Sequence, residues 1–411
     1  MSSIVAWLDF SAEHQQSVYE SIKAFESKDT VDDLGFGTIR DAISGALFPG
    51  TSVLQTRARY FLFIPWIFQA AQKKSSQDVV QRARVLELKL ISALEESDDT
   101  SGVIGIQRKL ALKTVPSSIY WSGLQKFGIF KLRGRSIQQF GKLVAKSRED
   151  IEYEGEFVGG GSPFWCDMPP PPTDFKDMKF AELRLTQIEA NWLSEQIIST
   201  SSVEHPNLLS ALAKMLLKND VGFLDNKIDF VWNLDLPDDA DARLRELIRH
   251  SQFFSLLAQG ASLIYNAMLI EKLQSHGREI SFSTDYDNRL LEWARRASKV
   301  ELSTWCEKVD EFWGCLESLG IDASEKARGF VNGLAAMVVQ HGLDGFCSNP
   351  EVRELIYQRE SKHKKHQARL TNKDRLFAYQ GEAGTGLMTF RWDSVKRLLN
   401  DIADGRSQGG N

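Results

Sequence analysis

Between residues 238 and 276 the sequence places Leu244, Leu247, Ile248, Phe254, Leu257, Leu263 and Leu269 at helical spacing, and the second half is apolar on several sides. A helix that is apolar all round has no face to offer water, so it is expected at the centre of a bundle with other helices packed about it. Amphipathic stretches that could cover it are plentiful, at about 180–199, 205–219, 285–319 and 323–342. Strand signals are few and short, at Lys227–Val231 and Ile129–Leu132. The expected fold class is therefore mainly α.

The N-terminal part adds to the helical count. Gly35 and Gly37 mark a turn, Thr38 is placed to cap a helix that ends at Pro49-Gly50, and Ser52 to cap a strongly apolar one kinked by Pro65. Residues 77–96 form an amphipathic helix with Val80, Ala83, Leu86, Leu90 and Leu94 inward. The most apolar stretches, Tyr60–Ala71 and Phe253–Leu269, are short or interrupted by polar residues and fall below the ~18 apolar residues of a membrane span. They read as core helices, and no membrane partner is expected. MSSIVAWLDFSAEHQQS lacks the basic start and apolar run of a signal peptide, so a cytoplasmic location is expected.

At 411 residues the chain exceeds the usual reach of one core, so several domains are expected. Ser97–Gly102 reads as a linker. Glu149–Glu156 is acidic, Gly159–Gly161 flexible and Pro169–Pro172 an extended spacer. The expected division is an N-terminal helical unit at 1–101, a basic module at 102–148, a linker at 149–178 and a C-terminal helical domain at 179–411.

Charge sets the basic module apart. From Gly102 to Arg148 there is no Asp or Glu, yet Arg108, Lys109, Lys113, Lys126, Lys131, Arg133, Arg135, Lys142, Lys146 and Arg148 are all there. That stretch carries +10 in a chain of net charge −5, which leaves −15 for the rest. A nucleic-acid surface must then be local to it. A helix at about 104–113, a break at Pro116, a Ser-capped helix SSIYWSGLQKF ended by Gly128, and a hairpin from IFKL–RGR–SIQQF turning at Gly134 make a winged-helix-like module. In that layout the helix at 117–127 lies against a groove, and Arg108, Lys109, Lys126, Lys131, Arg133 and Arg135 are candidate nucleic-acid contacts. Tyr120 shares a face with Leu124 and Phe127 and reads as core, whereas Trp121 points elsewhere and is a candidate for stacking on a base. The same surface also suits an acidic protein partner, or plain solvation.

Arg57 and Arg59 stand beside the apolar 60–71 stretch. Two apart on a helix they project about 200° from each other, so they cannot form one clamp. A structural ion pair, with Asp41 the nominated partner, is the first expectation, and an anion site the alternative. The basic run Arg359–Arg375 holds His363 and His366, but no further ligands at matching spacing, so no metal is expected. Gly381–Gly386 lacks the Gly-Lys-Ser/Thr of a phosphate loop and reads as a turn. Cys166, Cys306, Cys315 and Cys347 are scattered and read as free thiols. No G-x-S-x-G, H-E-x-x-H or Walker motif occurs, and LELKL (Leu86–Leu90) matches a degenerate nuclease pattern by chance. No cofactor is expected, and an enzyme remains an alternative that would need a pocket of converging titratable groups.

Four segments, WLDFS (Trp7–Ser11), Asp33–Trp66 with its LFPGTS and QTRARYFLF strings, Pro116–Phe130 and FRWDSVKRLLNDI (Phe390–Ile402), together resemble an uncharacterised family of bacterial proteins over nearly the whole chain. That resemblance implies an accessory role in phage-defence neighbourhoods, with defence-system proteins as partners. It supplies no catalytic residue. The expectation is a non-enzymatic nucleic-acid-binding or adaptor subunit, the alternative a scaffold that recruits an acidic protein.

Overall fold

The computed structural model describes residues 32–72, 78–107, 114–154, 162–176, 178–280 and 285–407. In chain order its helices are α1 (Gly37–Leu47), α2 (Tyr60–Gln72), α3 (Val79–Glu95), α4 (Pro116–Lys126), α5 (Ile137–Glu154), α6 (Thr173–Lys176), α7 (Gln187–Ile198), α8 (Leu208–Leu217), α9 (Ala242–Ser275), α10 (Tyr286–Lys299), α11 (Leu302–Glu307), α12 (Val309–Ser318), α13 (Glu325–Ser348), α14 (Pro350–Lys364), α15 (Lys373–Phe377) and α16 (Trp392–Ser407). Among the described residues there is no β-strand, only an antiparallel bridge between Phe130 and Trp165. The protein is mainly α and divides into two compact units. Among the described residues, one is drawn from 47–229 and 391–407, the other from 32–46 and 230–390.

Both units are discontinuous in sequence, so the boundaries expected near 101, 148 and 178 do not coincide with them. The supposed linker shows why. Within it Trp165 is fully buried, Phe175 is buried, and Pro169 accepts a hydrogen bond at its carbonyl from Trp66 Nε1 at 2.9 Å. Gly and Pro signal irregular backbone there, and that backbone is part of the core. The Gly159–Gly161 run lies outside the described residues.

In the first unit α2 packs on α3 and α4, α3 packs on α5, and the C-terminal α16 returns to pack on α7 and α8. α2 starts at Tyr60 and not near Ser52, whose hydroxyl instead accepts from Leu54 N–H in the preceding turn. Pro65 lies inside α2. α3 is capped by Asp78, whose carboxylate accepts from Val80 N–H at 2.9 Å. Its inward face is Val79, Ala83, Glu87, Leu90 and Leu94, so a carboxyl group stands where Leu86 was expected.

Glu87 is the partner that starts α4. With Pro116 in its first turn, α4 opens with a free N–H at Ser117, and Glu87 takes it at 2.6 Å and the Ser117 hydroxyl at 3.0 Å. Burial pushes the Glu87 carboxyl up from about 4.5 to about 7, against the downward pull of both Ser117 bonds and of Arg84. Between those values the folded chain holds a proton that the unfolded chain has released. The stability this group contributes is therefore complete below about pH 4.5 and is lost as pH rises through about 7. Glu87→Gln keeps an acceptor and a donor at the same place without titrating. From pH 4 to pH 8, the stability of the native chain relative to Glu87→Gln is expected to fall by about 3 kcal/mol. Urea unfolding of both proteins across that range checks it, and a pH-independent difference contradicts it.

In the second unit α9 is the centre, packed by α10, α12, α13 and α14. It is long and apolar enough to cross a membrane by length and composition, but 89% of its most apolar window is buried among its neighbours, as befits a core helix. α1 starts at Gly37, and the Asp32 carboxylate just before it accepts from Phe36 N–H at 2.8 Å and Gly37 N–H at 2.9 Å, so Thr38 lies inside the helix and does not cap it. The expected strand at Lys227–Val231 is a turn that runs into a 3₁₀ segment at Val231–Asn233.

Candidate nucleic-acid interface

The basic module was expected to present its second helix to a groove. α4 is instead mostly interior: Pro116, Ser117, Tyr120, Trp121, Gly123 and Leu124 are all buried. Gly123 permits the depth, because a Cβ there would stand 2.5 Å from Gly50 O and 2.8 Å from Phe61 Cε1. Trp121, the candidate for base stacking, is only 6% exposed. It sits among Phe130 (ring centroids 4.6 Å), Phe68 (5.5 Å), Phe140 (5.9 Å) and Trp165 (6.0 Å) in an aromatic core. Its indole N–H donates to Arg135 O at 2.8 Å.

The expected hairpin wing is also absent. Ile129 to Lys131 pair across to Phe164–Cys166, with Lys131 N–H donating to Phe164 O at 2.9 Å and Cys166 N–H to Ile129 O at 3.0 Å. SIQQF, taken as the return strand, is the first turn of α5, because Ser136 Oγ accepts from Gln139 N–H at 3.2 Å while Gln139 Oε1 accepts from Ser136 N–H at 3.0 Å. Ile137, Phe140 and Val144 then face inward at helical spacing, and that period outweighs the two-residue one.

A held loop takes the place of the wing. Gly134 adopts φ +73°, which lets the chain turn, and its N–H donates to Gln125 Oε1 at 2.6 Å. Gln125 Nε2 and Trp121 Nε1 both donate to Arg135 O. The loop between α4 and α5 is thus tied to α4 by three hydrogen bonds, all made by two side chains that α4 positions, Trp121 and Gln125. Lys131, Arg133 and Arg135 on this loop are exposed, as are Lys126 at the end of α4 and Lys142 and Lys146 on α5. None of these six forms an ion pair among the described residues, although Lys131 Nζ donates to Ser162 O at 3.0 Å. Lys142 and Lys146 were not nominated from sequence; the inward period of Ile137, Phe140 and Val144 is the signal that would have placed them outward. Arg108, Lys109 and Lys113 lie outside the described residues.

Arg57 and Arg59 are engaged elsewhere in the same unit. Both precede α2. Arg57 Nε donates to Asp401 Oδ1 at 2.9 Å, its Nη1 to Asp99 Oδ2 at 2.6 Å and to Ser101 O at 2.8 Å. Asp401, on α16, also accepts from Ala58 N–H at 2.7 Å. Burial raises its carboxyl above the usual range, and Arg57 with the Ala58 N–H only partly offsets that. Arg59 pairs with Glu189 of α7 at 2.8 Å, both side chains under a tenth exposed, and donates to Glu182 O at 2.9 Å. Asp41 is not the partner of either; it accepts from the neighbouring Arg40 at 3.1 Å on the surface. The true partners lie far along the chain, which residue spacing does not reveal.

A family model described as a family of unknown function matches residues 1–406. The chain belongs to that family, DUF6361. No curated protein and no solved structure matches it. In this DUF6361 chain the QTRARYF string, which helps carry the resemblance, is therefore a structural fastening: its two arginines tie the start of α2 to α16 and α7.

The remaining candidate features of the DUF6361 chain are likewise absorbed by packing. In the Gly-rich turn, Ala383 N–H donates to Asn266 Oδ1 at 2.9 Å, while Ala383 O and Thr385 O accept from Asn266 Nδ2 (2.8 Å) and Gln259 Nε2 (2.9 Å) of α9. These three backbone groups are held by side chains of α9. In the basic run, Arg359 donates to Leu34 O and Gly35 O, Arg369 pairs with Asp33, and the fully buried Glu360 accepts from Tyr265 OH at 2.7 Å and from Leu370 N–H at 3.0 Å. No three His, Cys, Asp or Glu side chains group as a metal-holding set among the described residues. The four cysteines are free thiols.

Proposed function

We propose that this chain is a non-enzymatic nucleic-acid-binding or adaptor subunit that engages phosphates through Lys126, Lys131, Arg133 and Arg135, with Lys142 and Lys146 beside them. A place in a bacterial anti-phage defence assembly is the context that the resemblance implies. One observation carries the proposal: six exposed cations stand on a loop and its two flanking helices, in a sequence stretch with no acidic residue, and the loop is tied down at Gly134 and Arg135.

A tied loop matters energetically. Ordering a floppy segment on binding costs conformational entropy, and three hydrogen bonds made beforehand reduce that cost. Attraction to phosphate is driven by release of condensed counterions, so it is steeply salt-dependent. With six contacts, affinity for a short labelled duplex is expected to drop on the order of a thousandfold between 50 and 200 mM salt. Fluorescence-anisotropy titration of the purified chain checks this. Absence of binding at low salt overturns the proposal and leaves the surface to an acidic protein.

A further inference from the structure

The aromatic side chains of the basic module point to which nucleic acid it takes. Proteins that hold single strands pair a cationic groove with exposed rings on which successive bases stack, each stack contributing about 1–3 kcal/mol. Among the described residues around this surface the rings are turned inward. Tyr120, Phe127, Phe130, Phe140 and Trp165 are at most 1% exposed and Trp121 is 6% exposed. Phe164, half-buried, packs edge-on against Phe140 at 5.2 Å. The guanidinium groups of Arg133 and Arg135, whose fork matches a phosphate, are among the exposed groups of the described residues here.

We infer that, given the nucleic-acid function proposed above, the ligand is a double helix gripped by its phosphate backbone, and that the exposed side of α5 lies along it. Lys142 and Lys146 are one helical turn apart on that side. From Ile137 to Lys146 the helix rises about 14 Å. Over that length a duplex presents about eight phosphate charges and one of its strands alone about four, at one charge per ~1.7 Å and ~3.4 Å of helix axis. A surface that gains from charge and not from stacking therefore favours the duplex. α5 also takes the place that the sequence pattern gave to α4, since α4 is mostly buried and α5 turns Lys142 and Lys146 outward.

Three labelled probes of equal length and sequence separate the possibilities: duplex DNA, duplex RNA and single-stranded DNA, each titrated with the full chain at 50 mM salt. At least one duplex is expected to bind roughly tenfold tighter than the single strand; which duplex does so identifies the source of the shared backbone chemistry. A single strand that binds as tightly as both duplexes, or tighter, overturns the inference while leaving the nucleic-acid function standing. Silence from all three probes overturns that function, and the inference with it. The double variant Lys142→Glu/Lys146→Glu, shown to be folded by circular dichroism, is expected to weaken duplex binding at least tenfold. Unchanged affinity removes α5 from the contact.

Discussion

A Glu189→Ala variant is expected to lose about 3–5 kcal/mol of stability. Two groups depend on this carboxylate. Its Oε1 neutralises Arg59 at 2.8 Å in a site where both side chains are almost fully buried. Its Oε2 accepts from Thr186 N–H at 2.9 Å, closing the capping box at the start of α7. Removing it strips the counter-charge from the Arg59 guanidinium buried beside Phe63, and Arg59 Nε already has no hydrogen-bond partner among the described residues. The cost comes from that stranded charge more than from the lost pair. The double variant Arg59→Met/Glu189→Met should therefore recover much of the loss, because a well-packed apolar pair often matches a buried ion pair. Urea unfolding of the two variants beside the native chain checks both statements. A single variant as stable as the native protein, or a double variant as unstable as the single one, contradicts them.

The helical class was legible because 3.6-residue periods persist over long stretches. The core helix at α9 stands out from apolar residues alone, and most other helices start within a few residues of where their periods begin. What escaped sequence reasoning depends on residues far apart in the chain. Arg57 meets Asp401 and Arg59 meets Glu189 across separations of 344 and 130 residues, and nothing local marks either acid. Glu87 sits on a helix face where a hydrophobic residue would be assumed, and only the free N–H at the start of α4 explains a carboxyl there. Trp121 looked available because it lay off the Tyr120–Leu124–Phe127 stripe; a helix packed on more than one side buries both stripes. The basic stretch itself was legible from charge, but its geometry was not. A glycine in a run of arginines suggested a hairpin, whereas the apolar spacing after it favours a helix.

The second large effect concerns that stretch. The quadruple variant Lys126→Glu, Lys131→Glu, Arg133→Glu and Arg135→Glu is expected to weaken duplex binding by at least about a hundredfold at moderate salt. All four side chains are exposed, and surface changes of this kind usually shift stability by less than about 0.5 kcal/mol each, so the fold should survive. The loop's ties stay intact too, because Gln125, Trp121 and the backbone of Gly134 and Arg135 are untouched. A matched substitution of Arg57 is expected to act on stability and not on binding, since its guanidinium is spent on Asp401 and Asp99.

Phosphate contact is tested most directly by the dependence of duplex affinity on salt, measured for the native chain and the quadruple variant together. On logarithmic axes the native slope is expected near −5, from about six neutralised phosphates, and the variant should be shallower by about 3 to 4 units. A native chain that binds with no salt dependence, or two proteins with the same slope, would contradict phosphate recognition by this loop.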